Sequence, residues 1–171
     1  MVSCATKSTK KYVNIDLTNQ VLTCKGFENL ELGTPFKEIK KRFSDFKFKE
    51  EQEFWGYILS DTDSKFKIFL TVYNDTLQGI TISDTNFRFY NGLKPGDEII
   101  KVKQLYPNTP ITYNLHDESE QFVIQDNYST IIIDVISNNN SLIGKYKNEL
   151  PDSTLNYNDN GRIISIGVFR K

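Results

Sequence analysis

The chain has 171 residues, 38% hydrophobic and 25% charged, which is the composition of an ordinary globular protein. Its formal charge of -1 supplies no basic excess to draw in phosphate backbones, which argues against nucleic-acid binding. The longest aliphatic run, "TIIIDVI" at 130–136, falls far short of the roughly 20 residues a bilayer-spanning helix needs.

The N-terminal stretch "MVSCATKSTKK" places Cys4 after small and aliphatic residues and before a polar segment without hydrophobic periodicity. It resembles the end of a bacterial lipoprotein signal, in which a box closing on a small residue and Cys is cut and the Cys is lipidated. Only Met1, Val2 and Ser3 stand where the apolar part of such a signal would lie. The resemblance implies lipidation at Cys4, a flexible tether over 1–11, and a folded part that meets the membrane only through its anchor. Further on, "YVNIDL" and "QVLTC", joined at Thr18-Asn19, read as a hairpin in which Cys24 is a small buried hydrophobe.

"GTPFKEIKKRF" at 33–43 predicts a short helix. Gly33 permits a tight approach, Thr34 can cap the free N–H groups, and Pro35 suits the first turn. Phe36, Ile39 and Phe43 share one helical face. "KFKEEQEF" at 47–54 fits a second short helix only loosely. "EFWGYIL" (53–59) and "KFKIFLTVY" (65–73) read as strands, with Phe66, Ile68, Leu70 and Val72 on one face of the second. An Asn74-Asp75 turn then leads into "LQGITIS" at 77–83.

"GDEIIKVKQLY" at 96–106 repeats the first helix motif with a constant offset of 63 residues. Gly96 matches Gly33, Asp97 matches Thr34, and Ile99, Val102 and Tyr106 match Phe36, Ile39 and Phe43. The two helices are predicted near 35–46 and 97–106. "EQFVIQ" (120–125) and "STIIIDVI" (129–136) follow as strands, and 137–152 reads as an insertion or long surface loop. "STLNY" (153–157) and "RIISIGVF" (162–169) flank Asn160-Gly161, the dipeptide most characteristic of a two-residue hairpin. The expected architecture is α+β: two tandem units, 12–83 and 84–171, each a helix followed by an antiparallel meander.

The repeated glycine, cap and short helix, with strands ending in "NDNGRIISIGVF", resemble a bacterial envelope superfamily. It includes the beta-lactamase inhibitor protein and the BamE (SmpA/OmlA) lipoproteins. The resemblance covers roughly 30–169 and implies a protein-binding fold with no catalytic residues to carry over.

Chemistry-bearing patterns are sparse. His116, the only histidine, sits in the polar "NLHDESE", and a Cys24–His116 nucleophile pair lacks an orienting third group. "NYNDNGRIISIG" mimics a calcium loop but has Asn156 at its first position and Gly167 where a bidentate Glu is required. No metal or other cofactor is expected. Aromatics make up 13% of the chain, more than one small core requires, so some should form a contact surface. Trp55, Tyr57 and Tyr73, on the solvent-facing side of the sheet, are the expected partner-binding residues.

The sequence therefore predicts a non-enzymatic protein-binding module of the bacterial periplasm or envelope, lipid-anchored at Cys4. Its most concrete form is an inhibitor or immunity-type protein acting on an enzyme or toxin. An envelope assembly or scaffold lipoprotein is the alternative, and a hydrolase whose carboxylates converge only in three dimensions is the rival from another class.

Overall fold

The computed structural model describes residues 17, 20–61, 63, 66–115, 118–138, 141–147 and 152–171. Cys4, its tether and His116 lie outside them. So does most of the expected N-terminal hairpin. From Val21 the chain forms three two-residue strands, β1 (Val21–Leu22), β2 (Gly26–Phe27) and β3 (Leu30–Glu31). The β2 and β3 segments form a small hairpin, while β1 pairs in parallel with β8 (Arg88–Phe89).

The helices are α1 (Phe36–Arg42) and α2 (Ile100–Leu105), both shorter than the sequence suggests. The strands β4 (Lys47–Glu51), β5 (Gly56–Ser60), β6 (Lys67–Tyr73) and β7 (Thr76–Ile82) run as one meander. After α2 come β9 (Ile111–Asn114), β10 (Ser119–Gln125), β11 (Ser129–Ser137), β12 (Ser153–Thr154) and β13 (Gly161–Arg170). Nine of these join in a single antiparallel sheet of order β12-β9-β10-β11-β13-β7-β6-β5-β4.

This overturns the expected α+β arrangement of two helix-plus-meander units. The protein is mostly β, and the strands of both halves merge through β7 and β13, with Ile82 opposite Ile166 and Ile80 opposite Val168. The reason is the unpaired edge. Four strands ending on an open β7 would expose a row of backbone donors and acceptors, which β13 covers.

Beyond that shared stretch each strand has a free flank, and the segment before each helix fills it. The Gly33 N–H donates to the Leu77 carbonyl at 2.8 Å, Leu77 to Thr34 at 3.0 Å, and Phe36 to Asp75 at 2.8 Å. On the other half, Gly96 donates to Ile163 at 2.8 Å, Ile163 to Asp97 at 2.8 Å, and Ile99 to Gly161 at 3.1 Å. Both glycines have positive φ, 86° and 90°. A one-residue bulge follows in each strand, leaving Gln78 and Ile164 unpaired. Thr34 and Asp97 are thus backbone bridges rather than side-chain helix caps, and neither helix has a side-chain cap. Asp97 instead accepts from the Lys94 N–H at 3.1 Å and pairs with Lys101 at 2.6 Å.

The core lies between one face of the sheet and the layer made by the helices and the N-terminal strands. Phe36, Ile39 and Phe43 of the first helical segment are buried there in one cluster with Leu59, Ile68 and Leu70. Phe27, Phe87, Phe66, Phe46 and Phe43 form a continuous row of tilted and edge-on rings, with successive centroids 5.3–6.0 Å apart. Most of the phenylalanine surplus is therefore core.

The 47–51 part of the segment that fitted a second helix only loosely is a strand. A further expectation fails: the Asn160-Gly161 dipeptide does not close a hairpin, because β12 pairs with β9 while β13 lies between β11 and β7. Ladders on both sides of β13, nine pairs with β11 and four with β7, outweigh the local turn preference. The 137–152 segment is also more than a surface loop, since Ile143 is fully buried. It is held by Glu120, whose buried carboxylate accepts from the Ile143 and Gly144 N–H groups, each at 2.7 Å, and from the Tyr146 hydroxyl at 2.8 Å.

Removing that carboxylate strands two buried N–H groups and a phenol. Glu120→Ala is expected to cost about 3 kcal/mol or more of stability. Urea denaturation measures it, and a change under about 0.5 kcal/mol, the size typical of an unimportant surface substitution, would contradict the anchoring role.

Candidate functional site

At one end of the sheet, β4, β5 and the β6–β7 hairpin enclose an open hollow of about 590 Å3. It is lined by Glu50, Glu51, Gln52, Trp55, Gly56, Tyr57, Val72, Tyr73, Asn74 and Asp75. The three aromatics singled out from the sequence thus border one depression, although they reach it in different ways.

Trp55 is not in a strand. Residues Gln52–Phe54 make a single 3-10 turn, and Trp55 closes it in the left-handed region at φ 52° and ψ 46°. A bulky residue rarely adopts that conformation. Its carbonyl accepts from the Val72 N–H at 3.2 Å, which ties the turn to β6. The indole is 72% exposed. Gly56 follows because any side chain there would strike the Leu70 carbonyl at 2.4 Å and the Phe69 ring at 2.6 Å.

Tyr73 sits at the end of β6 just before a two-residue turn. Asn74 and Asp75 both have positive φ, 48° and 54°, the signature of the tight turn that matches strand twist. Thr71 lies opposite Gly79 but Val72 lies opposite Leu77, and this bulge redirects the strand end. Tyr73 is 57% exposed.

Tyr57 departs from expectation. It pairs across the sheet with Leu70, a buried residue, so its side chain stands on the helix-covered face and not on the solvent-facing one. Its ring lies 4.3 Å from that of Phe36, and the Lys40 ammonium sits over both, 4.6 Å from Phe36 and 5.0 Å from Tyr57. Tyr57 is the half-buried floor of the hollow, with Trp55 and Tyr73 as exposed rims.

The polar side of the hollow is acidic. Glu50 and Asp75 are exposed, and among the described residues neither has an ion-pair partner. Glu51 pairs with Lys49 at 2.5 Å. These carboxylates were missed in the sequence. Glu50 and Asp75 lie 25 positions apart, and only the β4–β5–β6 meander brings them to one place.

A second cluster gathers Cys24, Tyr90 and Tyr106 near Asp126 and Ser129. Burial pushes the Cys24 thiol up from its ordinary value, and the Asp126 charge adds to the effect. Burial also raises both phenols. A thiol held protonated in this way is a poor nucleophile, the reverse of an activated catalytic cysteine. The Asn91 amide donates to the Tyr106 hydroxyl at 2.7 Å, so the cluster packs β1, the loop after β8 and the end of α2 together. Among the described residues no group of His, Cys, Asp and Glu could hold a metal ion, and no helix is long and apolar enough to cross a membrane.

The sequence matches no protein-family model and no curated protein. By structure the chain is similar to the uncharacterized protein yfeY from Escherichia coli, with a TM-score of 0.54 and 14% identity over 88% of this chain and 99% of that one. It is also similar to an extracellular protein containing a SCP domain from Bacillus anthracis str. Ames, with a TM-score of 0.50 and 10% identity. That match covers 100% of this chain and 50% of the other, so the chain spans about half the length of that protein. At such identities the likeness is one of fold alone.

The left-handed Trp55 backbone yields a test. Trp55→Gly relieves a conformation that costs an ordinary residue about 1–2 kcal/mol and removes little buried surface. The variant is expected to melt at the same temperature or a few degrees higher. A clear drop in melting temperature would show that the indole supports the fold.

Proposed function

We propose that the protein is a non-enzymatic protein-binding module that engages its partner through the Trp55–Tyr57–Tyr73 hollow. The observation that carries this reading is the exposure of Trp55 on a strained backbone. A 72% exposed indole gives the fold little burial energy, while its left-handed turn works against stability. Exposed Trp and Tyr are the residue types that dominate binding energy at protein interfaces. Tyr73 and the half-buried Tyr57 widen the apolar area beside it.

Within that reading, an inhibitor or immunity-type protein of the bacterial envelope is the most concrete form, in line with the sequence resemblance described above. The alternative is an envelope assembly or scaffold lipoprotein, which would use the same surface to hold a neighbour.

A hydrolase reading draws on Glu50, Glu51 and Asp75, which border one space. The open, solvated hollow offers none of the water exclusion that sharpens carboxylate acid–base chemistry, and this favours binding.

The test places a photo-crosslinking amino acid at Gln52, on the hollow, or at Gln125, on β10 far along the sheet. Expressed in the native host, the Gln52 variant is expected to capture a discrete protein that the Gln125 variant does not. Trp55→Ala should then weaken the purified complex about thirtyfold or more, equivalent to about 2 kcal/mol, with melting unchanged. Equal capture from both positions, or unchanged affinity in Trp55→Ala, would refute the site.

A further inference from the structure

The lining of the hollow also bears on what enters it. Three carboxylates, Glu50, Glu51 and Asp75, border the space, and among the described residues no lysine or arginine does. Two basic groups near it already have partners. Lys49 pairs with Glu51, and Lys40 lies over the Phe36 and Tyr57 rings. The charge that faces an incoming group is therefore negative, and the apolar walls are the rings of Trp55 and Tyr73 over a Tyr57 floor. Aromatic faces carry a negative quadrupole, so walls and rim attract the same sign of charge.

We infer, on the basis of the docking reading above, that the hollow receives an arginine side chain presented by the partner protein. A guanidinium is planar, stacks on indole and phenol faces, and can donate bidentate hydrogen bonds to a carboxylate, three demands that this lining matches together. An ammonium could meet the charge but not the stacking. The space of about 590 Å3 is far larger than one methylene chain with its guanidinium, so residues flanking the arginine also enter it. The Lys40 ammonium above Tyr57 shows the same pairing of cation and ring made within the chain, on the side of Tyr57 that faces α1. Among the described residues Glu50 and Asp75 have no ion-pair partner, and both stand beside the exposed rings. An arginine would occupy that place.

The chain has one tryptophan, so its fluorescence reports Trp55 alone. The probes are the peptide Gly-Ser-Arg-Ser-Gly with blocked ends and the same peptide with citrulline, the neutral isostere, in place of arginine. Tryptophan fluorescence and the indole N–H resonance are followed as each is added. The arginine peptide is expected to perturb Trp55 at least about fivefold more tightly than the citrulline peptide, the scale of one cation–π contact with a carboxylate beside it. The preference should shrink as salt is raised. The double variant Glu50→Gln, Asp75→Asn keeps every ring and suits the left-handed turn, and it should lose most of the preference. Equal affinity for the two peptides would overturn the arginine inference and leave aromatic docking standing. Failure of either peptide to perturb Trp55 would also overturn it, and docking is then decided separately by crosslinking at Gln52. A preference that persists in the double variant would overturn the role of the acidic rim.

Discussion

Four residue pairs between β7 and β13, from Ile82 opposite Ile166 to Gly79 opposite Phe169, turn two half-sheets into one. Without this junction each half would end in a free strand edge of the kind that invites aggregation. The junction is short and offset. It leaves residues 75–77 of one half and 161–163 of the other open on one flank, and the Gly33–Phe36 and Gly96–Ile99 segments fill those places through matching backbone hydrogen bonds. Each segment then turns directly into its helix. The helices therefore sit over the core because their entry segments are stitched to the two central strands. The buried faces of Phe36, Ile39, Ile99 and Val102 follow from that placement.

The same junction accounts for where the hollow lies. Because β13 takes the open edge of β7, the β4–β7 meander can end freely on its other side, and the β6–β7 turn and the 3-10 turn before β5 project there together. Phe69 lies across Gly56, and Phe169 across Gly79 and Gly167, which close the outer sheet face over glycines that could not carry a side chain. That leaves Trp55 and Tyr73 as the most exposed aromatics at this end, beside a rim of carboxylates.

How much of this was legible in the sequence depended on the range of the interaction. Period-two alternation identified the strand around Ile68–Leu70, the aliphatic run at 130–136 was read as a strand, and Asn74-Asp75 announced its own turn. The glycines at 33 and 96, read as permitting a tight approach, have positive φ, though the capping role assigned to Thr34 and Asp97 was mistaken. The β7–β13 pairing joins residues more than 80 positions apart, and no local pattern encodes it. The Asn160-Gly161 signal misled for the same reason, since the long ladder with β11 and the shorter one with β7 set the course of β13. Trp55, Tyr57 and Tyr73 were picked for their chemistry as exposed aromatics. The strand periodicity used to place them failed at Trp55, where a 3-10 turn interrupts the strand, and at Tyr57, whose face was reversed.

The claim on which the rest depends is that one continuous sheet, joined at β7 and β13, folds as a unit. Native-state hydrogen exchange in rising denaturant measures this directly, amide by amide. Amides in β7 and in β13 are expected to exchange only through global unfolding, with the same free energy and the same denaturant dependence. If the amides of β6 and β7 open at markedly lower free energy than those of β11 and β13, the halves are separable units and the account is wrong.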